Sequence, residues 1–355
     1  MEKQRNHYID FLRGLAAINI IIIHTAFWSG SSYVPTIVQS ITLLLDVPFF
    51  FFLAGWSFSY VNSWTKNIKG IIKLQERYIF FLIIYTIILY FFAKNEVSGL
   101  NFINQIFYKR TIEPRLLPVV MSSMWFLPVY VLVSSIFSVV ICVLTRKNFK
   151  NNIILLITCL LGFIYVQLGN NFLGLSKKFL FYGFFYVLGY ITKEYRISSL
   201  KSLSIILIFI LSFIIGSVHI FNVDITIVQK LKFPPHIVYL LISLIGISIA
   251  LYFKGKIKID KRNIINKIGQ NAIFYYFGQG ISSSLLYFFV NRINISWYLK
   301  LLICIIFNIV LAIIISECIH KLYGIFNCII KKIINIGNKN SNLFFEKIES
   351  DCTNN

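Results

Sequence analysis

The feature that most constrains this chain is a succession of apolar stretches, most of them close to the length that crosses a bilayer, separated by short connections in which the basic residues collect. Ten stretches are legible, at about 12–29, 37–61, 78–93, 119–144, 152–168, 179–192, 202–221, 236–253, 271–290 and 297–319. No soluble core hides this much apolar surface. Hydrophobic residues make up 57% of the 355 and charged ones only 13%, against roughly 25% charged in a soluble domain. Lipid accepts apolar side chains on every face of a helix, provided the backbone satisfies its own hydrogen bonds. The expected fold is therefore all-α: a polytopic integral membrane protein of about ten transmembrane helices.

A formal charge of +21 would suggest nucleic acid in a soluble protein. Here the 34 Lys and Arg lie between apolar runs and form no face, so they read as a topology signal and nucleic acid is not an expected partner. Summed over alternate connections, 23 fall on one side and 9 on the other. The positive-inside rule then puts both termini in the cytoplasm of a multi-pass protein of the bacterial cell membrane. The connections are too short for a separate soluble domain, which leaves one membrane-embedded domain over 1–320. Residues 321–337 have apolar residues at helical spacing, as in a cytoplasmic amphipathic helix or the frayed end of the last span. The polar, Asn-rich 338–355 are expected to be disordered. Six cysteines without CxxC or CxxH spacing read as small packing residues, and no metal site is expected. The first apolar run has Arg13 near its start and no cleavage signature after it, so it is expected to remain as an anchor.

Ionisable groups inside a bilayer are costly, which makes the few present the functional candidates. In YIDFLRGLAAINIIIIHTAFW, His24 stands eleven positions after Arg13. At about 100° per residue both project from one helix face, with a rise of about 16 Å between them. Arg13 suits either a basic anchor or one end of a polar path; His24, flanked by isoleucines, is either a packing residue or the other end. The second stretch contains LLLDVPFFFF, in which Asp46 precedes Pro48. A proline there removes a backbone donor, and broken membrane helices line cavities. Asp46 would orient His24 on the neighbouring helix or pair with some other buried polar group. On the outer side, His219, Asp224 and His236 are loop or interface residues or contacts for a polar acceptor. In the ninth stretch Asn271, Gln279 and Ser282–Ser284 form a polar stripe that serves packing or binding.

Several of these segments together resemble the acyltransferase family 3 membrane proteins. Arg13 and His24 match that family's Arg, ten intervening residues, then His. DVPFFFFLAGWSFSY is similar to its FF-x-x-SG segment, Glu76-Arg77-Tyr78 stands where it has a basic cluster, MWFLPVY resembles its W-F-L segment, and IGQNAIFYYFGQG resembles its late LG-x-x-S-x-x-x-Y segment. The similarity covers most of residues 8 to 320. There are two departures: Ala54 replaces a common Ser, and Gln279 replaces a common His, which leaves His24 as the main candidate base. Some members carry a fused esterase-like domain; none is expected here, so transfer would be completed in the membrane domain or by a separate protein.

The resemblance implies transfer of an acyl group, acetyl or another, from cytosolic acetyl-CoA or another acyl-CoA to a hydroxyl of a surface polysaccharide or lipid-linked glycan. Arg13 and Arg77 are the candidate contacts for the anionic donor. His24 is the candidate general base with Asp46 stabilising its imidazolium, or else the carrier of a covalent acyl group. His219, His236 and Gln279 are candidate acceptor contacts. The rival reading is a transporter or flippase for a lipid-linked glycan, disfavoured because the Arg/His stripe has no counterpart in the second half of the chain.

Overall fold

The computed structural model describes residues 6–96, 99–107, 115–145, 148–169, 174–260 and 262–353, all helix, turn or connection with no strand among them. Lys3, Arg5, Lys109, Arg110, Arg146, Lys147 and Lys261, which entered the charge balance, lie outside the described residues.

The helices are α1 His7–His24, α2 Thr36–Thr42, α3 Val47–Val61, α4 Trp64–Phe92, α5 Gly99–Ile106, α6 Pro118–Ser123, α7 Phe126–Val140, α8 Phe149–Leu168, α9 Gly174–Ile191, α10 Leu200–Phe221, α11 Ile237–Phe253, α12 Ile264–Gln270, α13 Ala272–Val290 and α14 Trp297–Thr353. Each of the ten apolar stretches falls on helix. Among the described residues seven helical segments are long and apolar enough to cross a membrane, and α11 is apolar but shorter. This is the all-helical architecture of a polytopic membrane protein. The last helix, α14, runs from Trp297 through 321–337 to Thr353, and 354–355 lie outside the described residues.

The molecule is apolar outside and partly polar inside. Ile205, Ile208, Phe209 and Ile215 of α10 face outward, as do Leu302, Ile306 and Val310 of α14. Apolar patches of this extent belong to a surface that meets lipid. Asp46, Gln279, Ser282–Ser284, Asn308 and Ser316 are buried.

Two helix pairs set the frame around the buried polar groups. In α3 and α9, Phe51 stacks on Tyr182 with ring centroids 4.4 Å apart, and Gly55 and Gly189 let the backbones touch. A methyl group on Gly55 would collide with the Tyr186 carbonyl, and one on Gly189 with that of Phe52. The same device joins α1 to α12, where Gly14 lies against the Ile265 carbonyl and Gly269 against that of Asp10. Small residues serve membrane helices in this way because lipid-immersed helices associate through close packing, not water exclusion. Asn6 starts α1, its side chain accepting from the backbone N–H of Tyr8 and Ile9. Gly269→Ala should therefore lower the thermal unfolding midpoint of the detergent-solubilised protein, at a cost of about 1–3 kcal/mol for overpacking. Gly70→Ala, on an exposed part of α4 with open space around it, should leave the midpoint unchanged or raise it.

Candidate active site

The centre of the site is the break in the second span. α2 ends at Thr42, a tight turn covers Leu43–Leu45, Asp46 is extended (φ −99°, ψ −162°), and α3 begins at Val47 with Pro48 in its first turn. Proline is tolerated there because the first helical turn has no intrahelical partner for its N–H. The break exposes backbone carbonyls at membrane depth. Nδ2 of Asn19, on α1, donates to the carbonyls of Thr42 at 2.8 Å and Leu45 at 2.9 Å, so one amide bridges the break and ties it to α1.

Asp46 is 1% exposed. Its Oδ2 accepts from Nζ of Lys232 at 2.7 Å and from the Tyr239 hydroxyl at 2.7 Å, while Oδ1 is buried with no hydrogen-bond partner. Lys232 enters from the segment joining α10 to α11, and its ammonium lies 5.4 Å from the ring centres of both Trp125 and Phe233. The same two rings carry Lys178 at 5.5 Å. Of the two readings of Asp46, pairing with another buried polar group is the one its direct contacts match. The expectation that Asp46 orients His24 needs correction in that respect: the carboxylate is held by Lys232 and Tyr239. His24 is instead within electrostatic range of both Lys232 and Asp46.

His24 ends α1, and the chain continues as a wider π-helical turn over Thr25–Ser29, a local irregularity frequent at functional sites. Its Nδ1 is buried without a hydrogen-bond partner. Beside it, Nδ2 of Asn308 on α14 donates to Oγ1 of Thr25 at 2.8 Å and Oγ of Ser283 at 3.0 Å, binding α1, α13 and α14 together. Gln279 lies one turn before Ser283 on α13, is fully buried, and neither atom of its amide has a partner. A buried amide left unbonded is costly unless a ligand uses it.

Arg13, at the other end of the stripe, donates from Nη2 to Oγ of Ser57 at 2.6 Å and pairs through Nη1 with Asp10 at 3.5 Å. It borders an apolar cavity of about 130 Å³ also lined by Ile20, Val47, Ala54, Tyr130 and Tyr276. Of its lining residues, Ile20 stands one turn before His24 on α1 and Val47 follows Asp46 at the start of α3, while His24 and Asp46 do not themselves line it. Arg77 does not line it: its guanidinium lies over the rings of Phe274 at 5.5 Å and Tyr323 at 5.9 Å, while Leu74 and Ile273 line the cavity.

The remaining candidates are elsewhere. His219 is exposed in the last turn of α10. The ring of His236 caps α11, its Nδ1 accepting from the Val238 N–H at 3.2 Å, and packs edge-on against Phe221. Neither lines the cavity. Lys232, Tyr239, Asn19 and Asn308 were not singled out from the sequence. Lys232 had a signal, since it is a lysine in an apolar KFPPH context next to an apolar stretch; the others are ordinary polar residues until their partners are known.

A membrane protein with an arginine at an apolar cavity, a buried histidine and a buried ion pair inside its helices has the parts a membrane-embedded catalyst would need. The family model described as an acyltransferase domain, that of the acyltransferase 3 family, matches residues 6–317, and the chain belongs to that family. No curated protein matches the chain, and no solved structure does.

Because the Asn19 amide bonds two carbonyls at the helix break, Asn19→Ala should destabilise the protein by about 1–3 kcal/mol, read as a lower unfolding midpoint in detergent.

Proposed function

We propose that this acyltransferase moves an acyl group, in the first instance acetyl, from acetyl-CoA or another acyl-CoA in the cytosol to a hydroxyl of a surface polysaccharide or lipid-linked glycan. The observation that supports the reading is the apolar cavity bordered by Arg13 and lined by Ile20, one helical turn before His24, and by Val47, next to Asp46. The charge bias of the connections supports a bacterial cell membrane orientation with both termini inside, which puts Arg13 and Arg77 at the donor side. There, guanidinium groups would hold the phosphates of the donor by charge-assisted hydrogen bonds. Arg13 commits few of its N–H donors to Ser57 and Asp10, so others remain for an anion. The flexible, thin arm of the donor suits a narrow apolar cavity between facing helices.

In this mechanism neutral His24 takes the proton of the acceptor hydroxyl as its oxygen attacks the thioester carbonyl carbon. The carbon–sulfur bond then breaks, the oxygen keeps the acyl group, and the thiolate leaves with the proton returned from the imidazolium. Gln279, whose two amide atoms are unpartnered, would contact the acceptor or the carbonyl oxygen as charge develops. His219 and His236 have no part in this reading.

His24→Ala should abolish acceptor-dependent turnover of radiolabelled acetyl-CoA by purified protein, a loss of about 10²-fold or more; wild-type turnover would overturn the assignment. Arg13→Ala should raise the KM for acetyl-CoA with a smaller effect on kcat, and an unchanged KM would remove the arginine from donor binding.

A further inference from the structure

We propose that Lys232 is a positioning residue of this reaction centre: carried in from the segment between α10 and α11, it fixes the Asp46 carboxylate and cancels its charge beside His24, so that the imidazole works as a neutral base. This rests on the reading of His24 as the base.

The geometry has three parts. First, the ammonium of a side chain only 6% exposed meets Oδ2 at 2.7 Å, and the Tyr239 hydroxyl holds the same oxygen, so the carboxylate has a defined orientation with Oδ1 left unpartnered. Second, the segment bearing Lys232 is fastened to both sides of the helix break. Oγ of Ser40, on α2, donates to the Thr226 carbonyl at 2.7 Å and accepts from the Val228 N–H at 3.1 Å, while Lys232 itself holds Asp46 at the start of α3. Third, Trp125 and Phe233 wall the ammonium, and ring faces favour a cation there while excluding water.

Electrostatics gives that geometry its consequence. A lone buried carboxylate near an imidazole favours the protonated ring, and a lone ammonium opposes it. Asn19, five residues before His24 on α1, is bonded to the Leu45 carbonyl next to Asp46, and His24 lies within electrostatic range of both Asp46 and Lys232. The other polar groups on the elements around the pair are Tyr182 and Lys178 of α9 and Tyr239 of α11, with Gln279, Ser283 and Asn308 of α13 and α14 uncharged. A pair that served packing alone would be replaceable by apolar residues at little cost; a pair that sets the state of the base would not.

The test is the pH profile of acetyl-CoA turnover by purified protein in detergent. Lys232→Met should lower kcat near neutral pH by about 10²-fold, the low end of what a positioned base contributes. It should leave the KM for acetyl-CoA unchanged and move the acid limb of the profile to higher pH by about one pH unit or more. Asp46→Asn, which leaves the ammonium alone, should move that limb to lower pH. Acid limbs that coincide with wild type, or that move the same way in both variants, would overturn the proposal. Where Lys232→Met is not recovered folded, Lys232→Arg decides together with Asp46→Asn. An unmoved limb in the arginine variant and a lowered one in the asparagine variant support the role; any other combination rejects it. Turnover that survives His24→Ala would overturn the underlying reading and this proposal together, whereas a required His24 with an unmoved limb would overturn only the role of Lys232.

Discussion

A carboxylate buried where a membrane helix breaks can stay there only if its charge is matched and the backbone around it is satisfied, and the arrangement of this protein's interior follows from those two demands. Asp46 is matched by Lys232 and held by Tyr239; the carbonyls freed beside it are taken by Asn19. Those contacts come from α1, from the segment before α11 and from α11 itself. Satisfying one residue therefore draws together parts of the chain nearly two hundred positions apart, and it does so next to His24.

The same economy explains the rest of the bundle. Helices in lipid gain little from burying apolar side chains against each other, since the solvent is equally apolar. Association rests on contact and on polar bonds. Gly55 with Gly189 and Gly14 with Gly269 supply the contact; Asn308, joined to Thr25 and Ser283, supplies bonds that lock α14 and α13 to the end of α1. Rigid support of this kind is what a reaction centre requires, because a base or donor site displaced by an ångström loses much of its effect.

Much of the site was legible in the sequence, for a physical reason: a bilayer makes every buried polar residue conspicuous. Arg13 and His24 stood out in an isoleucine-rich run, and helical periodicity put them on one face; Arg13 borders the apolar cavity and His24 is buried at the end of the same helix. Asp46 beside Pro48 foretold a break, and the break is there. His219 and His236 were legible as residues but not as roles: one is exposed and the other caps a helix, since a ring nitrogen near a helix start serves its backbone readily.

By itself the sequence determined the class of this protein and the chemistry available to it, because hydrophobicity, charge spacing and helical periodicity are local properties that a bilayer reads directly. The seven crossing helices among the described residues, the helix break and the Arg13–His24 stripe all follow from neighbours in the chain. Which group answers Asp46 was decided only by the tertiary structure. The pairing of Asp46 with Lys232 depends on how α2, α3, α9 and α11 pack, and no spacing along the chain encodes a contact between residues 46 and 232. The orphaned amide of Gln279 is likewise a property of its surroundings, since whether a buried polar group is satisfied depends on what folds against it.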